Sequence, residues 1–181
     1  GFIFALGWFG SGISWVHVSI DQFGGLPLIA SLLLMLLLCS YLAVYPALAC
    51  YLSSRFSPNR QFSLWLLPSF WLICEYLRAN ILTGFPWLSI GYSQIDGPLS
   101  SFAPFIGEVG ITALLLASST AIINTVNNHY RKSHLLLLVS VFTSAFLLSN
   151  VQWLKTTGQT VTTALVQGNI EQSIKWESEK Q

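Results

Sequence analysis

Two residues of opposite charge, Glu75 and Arg78, lie three positions apart in the apolar stretch WLICEYLRAN. On a helix that spacing puts both side chains on one side. They can pair with each other, or the guanidinium can grip a phosphate, such as a lipid head group, through its planar fork of donors. Charge in an apolar segment is costly unless paired or hydrated, so the pair is a functional candidate as well as a structural brace. Just beyond it, Trp87, Tyr92 and Gln94 fall in a stretch rich in glycine and proline. Such rings suit a membrane–water interface, and together they can wall a lipid tail and head group. Glu108 opens a further apolar run, where the helix dipole favours a carboxylate. Cys39, Cys50 and Cys74 all sit in apolar runs without metal-site spacing and read as small buried side chains; Cys74, beside Glu75, comes nearest to a reactive setting. His17, His129 and His134 are too scattered to hold one metal, and no nucleophile elbow, P-loop or zinc signature is present. No cofactor or metal is implied.

The elements that carry these residues are apolar to an unusual degree. Of 181 residues, 53% are hydrophobic and only 8% charged, against about 25% charged in a typical soluble chain. The mean hydropathy is +0.62. A net charge of +1 without a basic patch gives no footprint for nucleic acid. A membrane span needs roughly 20 mainly apolar residues, and residues 2–18, 26–52, 62–80, 106–126 and 135–154 qualify or nearly do. The predicted fold is therefore mainly α, a polytopic bundle of about five transmembrane helices. Arg55 and Arg60 follow the second segment, and Arg131 and Lys132 follow the fourth; Asp21 and Asp96 mark the first and third connections. By the positive-inside rule the basic connections face the cytoplasm, and the chain beyond the fifth segment reaches the outer side. Residues 81–105 carry Pro86, Pro98 and Pro104 with Gly84, Gly91 and Gly97, which predicts short interfacial or re-entrant pieces. Composition changes after residue 154. Residues 156–166 read as a β-strand, 167–169 as a turn, and Ser173 starts a helix through Trp176. Residues 1–154 thus form a transmembrane domain, and 155–181 begin a second domain that needs more chain. Both ends read as truncations.

The segment WLICEYLRANILTGFPWLSIGYSQIDGPLSSFAPFIGEVGIT, residues 71–112, resembles the apolipoprotein N-acyltransferases. So do SGISWVHVSI, residues 11–20, and ALVQGNIEQSIKW, residues 164–176, the last being similar to the start of that family's α/β nitrilase-like domain. One departure is Glu171, where many members have proline. The resemblance implies acyl transfer from a phospholipid donor, through a cysteine thioester, to the lipidated N-terminal cysteine of an apolipoprotein acceptor. It implies a multi-pass protein of the bacterial inner membrane with its nitrilase-like domain in the periplasm. Its Glu–Lys–Cys triad is expected beyond Gln181, so no catalytic residue is assigned within 1–181 and this stretch alone is expected to be inactive. Trp176 matches a family tryptophan near the active site; Trp87, Tyr92 and Gln94 match family motif positions. Two other readings stay open on the residues alone: a small transporter or channel-like protein using Glu75 and Arg78 along a polar path, and a non-catalytic membrane anchor.

Overall fold

The computed structural model describes residues 1–57, 60–127, 130–153, 158 and 162–169. These form six helices: α1 (Phe2–Gly12), α2 (Val16–Gln22), α3 (Leu28–Arg55), α4 (Arg60–Asn80), α5 (Ala103–Val126) and α6 (Arg131–Ser149). α3 lies at the centre of one side, packed on α1, α2 and α4; α5 joins α4 to α6. Small residues at these contacts let the helices approach closely. Ala5, Phe9 and Ile13 of α1 interlock with Cys39, Leu42 and Ala43 of α3. Tyr45 and Ala49 of α3 meet Trp71 and Cys74 of α4. Leu99 and Ile111 meet Ala145 of α6.

The outward faces are as apolar as the inward ones. Ile29, Leu33, Leu37, Leu136, Val139 and Phe146 are all exposed. A helix that is hydrophobic all round belongs in lipid or in a large core. Three helices, α3, α5 with its preceding turn, and α6, are long and apolar enough to cross a membrane. A fourth span forms if α1 and α2 count as one, although they are bent by 55°. The expected single segment at 2–18 is therefore broken at residues 13–15. The bend coincides with side chains that bond the nearby backbone: Ser11 Oγ donates to the Trp8 carbonyl at 2.9 Å, and His17 Nδ1 bonds the Ser14 carbonyl. Among the described residues the expected count of five is not reached by length and composition. The remaining segment, α4, is helical over 21 residues but carries Arg60, Gln61, Glu75, Arg78 and Asn80.

α4, α5 and α6 run antiparallel in sequence order. Trp65 near the start of α4 stacks on His134 near the start of α6, at 5.6 Å. At the opposite end Ser101 Oγ donates to the Ala145 carbonyl near the end of α6, at 2.8 Å. Cys39 and Cys74 are buried between helices. His129 lies outside the described residues.

The connection from α4 to α5 consists of three short 3₁₀ turns, Ile81–Thr83, Ile90–Gln94 and Ser100–Phe102, as its prolines and glycines predict. α5 itself is interrupted at Gly107, with φ 62° and ψ −171°, a conformation open essentially to glycine. The expected strand at 156–166 is not found among the described residues: 162–169 form no regular structure, and Leu165 is 99% exposed. A strand exists only when a neighbour takes up its backbone hydrogen-bonding groups, and no such neighbour is present among the described residues. The expected helix from Ser173 lies outside them.

The end of α4 generates the first prediction. Gly84 has φ +81°, and a Cβ there would meet the Asn80 nitrogen at 3.2 Å and run into the Ala79 carbonyl. Gly84→Ala is expected to destabilise the protein by about 1–3 kcal/mol, read as a lowered unfolding midpoint in detergent; an unchanged midpoint would show that the turn tolerates a side chain.

Candidate functional site

α4 carries Glu75 and Arg78 one turn apart on its inward side, with Glu75 12% and Arg78 3% exposed. Arg78 Nη2 donates to Glu75 Oε1 at 3.2 Å. Nη1 donates to two backbone carbonyls, Phe85 at 2.6 Å and Trp87 at 2.7 Å. The Phe85 N–H returns a bond to the Arg78 carbonyl at 2.9 Å. The guanidinium also lies 5.4 Å from the centre of the Phe9 ring of α1, a distance at which a cation is attracted to the ring face. One side chain thus joins α1, α4 and the connection to α5. A planar guanidinium suits this because its donors diverge in fixed directions.

Ser89 extends the network. Its Oγ donates to Glu75 Oε1 at 2.8 Å and also contacts Glu108 Oε1. Glu108 follows the break at Gly107, and its Oε1 accepts the Thr112 hydroxyl at 2.8 Å. Glu75, Arg78, Ser89, Tyr92 and Glu108 line a cavity of about 120 Å³. Among the described residues, the connection carries three non-glycine residues with left-handed backbone, Leu82 (φ 53°), Thr83 (φ 70°) and Leu88 (φ 60°). Such strain persists only where the surroundings over-determine it. Here Arg78 holds the carbonyl on one side of Leu88 and Ser89 is fixed on the other.

Trp87 projects away from the cavity. It is 50% exposed, and its ring lies 5.8 Å from Phe85 and 5.2 Å from Trp15, which follows α1. Tyr92 is exposed and reaches the cavity rim. Gln94 is half-buried; its side chain folds over Gly97 and its carbonyl accepts the Gly97 N–H at 3.0 Å. The structure therefore gathers Glu75, Arg78 and Tyr92 around one cavity, sets Trp87 beside it in an aromatic stack, and makes Gln94 a turn residue. Trp176 lies outside the described residues.

Ser89 and Thr112 were not singled out by sequence reasoning, and Glu108 was read only as a charge at a helix start. A signal was present: Glu108 and Thr112 are polar residues four apart in an apolar helix, a spacing that places them on one face. Their partners on the connection had no signal, because a main-chain carbonyl belongs to every residue.

The buried pair generates the second prediction. Arg78→Ala leaves Glu75 buried without its partner and two loop carbonyls without their donor, and is expected to cost about 3–5 kcal/mol. Arg78→Lys keeps the charge but not the fork, and is expected to recover less than half of that loss. Unfolding midpoints of both variants in detergent check this; full recovery by lysine would show that charge alone matters.

The sequence has relatives that bear on this geometry. The family model described as "Apolipoprotein N-acyltransferase N-terminal domain" matches residues 1–121. A Vibrio cholerae apolipoprotein N-acyltransferase is 48% identical over 178 residues, covering 97% of this chain and 35% of the relative. The Shewanella oneidensis relative is 45% identical over 180 residues, with 97% and 35% covered. The Nitrosomonas europaea relative is 38% identical over 182 residues, with 99% and 36% covered. The chain thus spans about a third of the length of these relatives, and both the matched domain and the identity across nearly all of its residues place it in the apolipoprotein N-acyltransferase family.

Proposed function

We propose that residues 1–181 are the membrane-embedded N-terminal part of an enzyme that moves an acyl chain from a phospholipid to the α-amino group of the lipidated N-terminal cysteine of apolipoproteins. The observation that carries this reading is the match of residues 1–121 to the family's N-terminal domain. The chemistry is a two-step transfer. A cysteine thiolate attacks the phospholipid ester, the lysophospholipid leaves, and the acyl group is held as a thioester. The substrate amine then attacks the thioester, and the thiolate is released. Splitting the transfer this way suits covalent catalysis, with a base to activate the nucleophile. The family resemblance assigns these groups to a Glu–Lys–Cys triad in a nitrilase-like domain that begins near residue 155, with Trp176 close to it.

In this reading the transmembrane part receives the acyl donor. Trp87 and Tyr92 form the wall beside the head group and upper tail. Arg78 and Glu75 brace that wall from beneath, which is what a 3% exposed guanidinium occupied by two carbonyls and a carboxylate can do. α4 crosses the membrane as a fifth segment: its 21 residues reach about 31 Å at 1.5 Å per residue, and its buried pair spares the lipid any contact with charge.

Charge supports the orientation. Arg55 ends α3 and Arg131 and Lys132 open α6, so the basic residues gather at one end of the bundle. The connection bearing Trp87 and Asp96 lies at the other. The basic end faces the cytoplasm of a bacterial inner membrane and the Trp87 end faces the periplasm. A reporter fused after Lys132 is expected to be active only in the cytoplasm, and one fused after Lys155 only in the periplasm; the reverse pattern refutes this orientation. The full-length protein, supplied with labelled phospholipid and a diacylated lipopeptide bearing a free amino terminus, is expected to transfer label to the amine through a hydroxylamine-sensitive protein thioester. Solute flux in liposomes without label transfer would favour a transporter instead.

A further inference from the structure

The strap between α4 and α5 is tied down at alternate residues. The carbonyls of Phe85 and Trp87 accept from Arg78 at 2.6 and 2.7 Å, Ser89 Oγ donates to Glu75 at 2.8 Å, and the Gly91 N–H donates to Thr112 Oγ1 at 2.9 Å. Of the residues between, Leu88 packs against Gly12 of α1 and Ile90 lines an apolar groove beside Trp8 and Trp71, while Pro86 lines the cavity itself.

Thr112 is the last of these ties and is fully buried. Its hydroxyl is used in both directions, accepting from Gly91 and donating to Glu108. The strap comes so close to α5 here that a Cβ on Gly91 would lie 2.7 Å from Glu108 Oε1 and 3.0 Å from Thr112 Oγ1. A hydroxyl can accept and donate at once, whereas a carboxylate only accepts, so Thr112 alone of the two can take the Gly91 N–H and pass a hydrogen bond on to Glu108. The threonine hydroxyl supplies the acceptor for Gly91 and completes the path from Gly91 to the carboxylate.

We propose that Thr112 is a positioning residue: its hydroxyl sets the depth at which the strap seats on α5, and so where Tyr92 meets the acyl donor. Its effect on the donor rests on the proposed function; the hydrogen bond to Gly91 does not.

Thr112→Val and Thr112→Ser in the full-length protein, reconstituted in nanodiscs, separate the hydroxyl from the bulk of the side chain. Thr112→Val is expected to raise KM for the phospholipid about tenfold, the scale of one buried hydrogen bond left unmade, with kcat unchanged. Thr112→Ser, which keeps the hydroxyl, is expected to behave as wild type. The Gly91 amide is expected to exchange with D₂O at least about tenfold faster in Thr112→Val, again the scale of that bond. Should Thr112→Val not fold, Gly91→Ala presses on the same contact from the strap side and is expected to raise KM in the same way. An unchanged KM in the folded variants, or equal losses in Thr112→Val and Thr112→Ser, overturns the proposal. Absence of acyl transfer by the wild type overturns the proposed function instead, and Gly91 exchange then decides the role of Thr112.

Discussion

Backbone that leaves the helical ladder exposes N–H and C=O groups that hydrocarbon cannot satisfy. The connection at residues 81–102 is built of short turns at one end of the bundle, so those of its polar groups that are buried must find partners inside the protein. Arg78 is the principal answer. Its guanidinium takes the carbonyls of Phe85 and Trp87, and Glu75 balances its charge. Around that one side chain the remaining choices follow. Phe9 of α1 must lie against it, α4 must turn Glu75 inward, and the strap must pass across the end of the bundle at a fixed height.

A buried ion pair is seldom a strong source of stability, because removing two charges from water costs about as much as their attraction returns. The Glu75–Arg78 pair makes sense on other grounds. Each partner spends its hydrogen-bonding capacity on the strap as well as on the other: Arg78 on two carbonyls, Glu75 on Ser89. The alternative to the pair is thus unsatisfied backbone and a free hydroxyl in the same place, which is worse than an apolar replacement would be elsewhere. Stability and conformational specificity coincide here because the pair is also the anchor of a strained segment with left-handed Leu82, Thr83 and Leu88.

The positions of four helices were legible in the sequence because long apolar runs have few alternatives. The expected segments 26–52, 62–80, 106–126 and 135–154 became α3 (Leu28–Arg55), α4 (Arg60–Asn80), α5 (Ala103–Val126) and α6 (Arg131–Ser149). The spacing of Glu75 and Arg78 also foretold a pair on one face. The break between α1 and α2 escaped notice, since glycine and serine in an apolar run fit close packing as well as a bend. Of the strand expected at 156–166, the described residues 162–166 form no regular structure: residue types give a strand its tendency, but a partner gives it existence. The role of Thr112 was hidden most completely. Its partner Gly91 is 21 residues away and contributes only a main-chain N–H, which no side-chain pattern records.

The strap joins helices that sequence keeps apart, and this bears on what the end of the bundle can do. Arg78 and Glu75 belong to α4, Glu108 and Thr112 to α5, and Trp15 follows α1. Trp87 touches the first set through its carbonyl and Trp15 through its ring, so its position reports the relative placement of α1 and α4. Tyr92 lies one residue beyond the Gly91–Thr112 bond and so reports the placement of α5. Aromatic side chains held in this way lose little entropy when a ligand settles on them, because their backbone is already fixed. Rings on a free loop would have to be ordered at each encounter. Among the described residues, the Glu75–Arg78 pair, Glu108 and Thr112 all serve to fix one short strap, so the bundle presents Trp87 and Tyr92 at constant geometry, as the proposed role in receiving a flexible lipid requires.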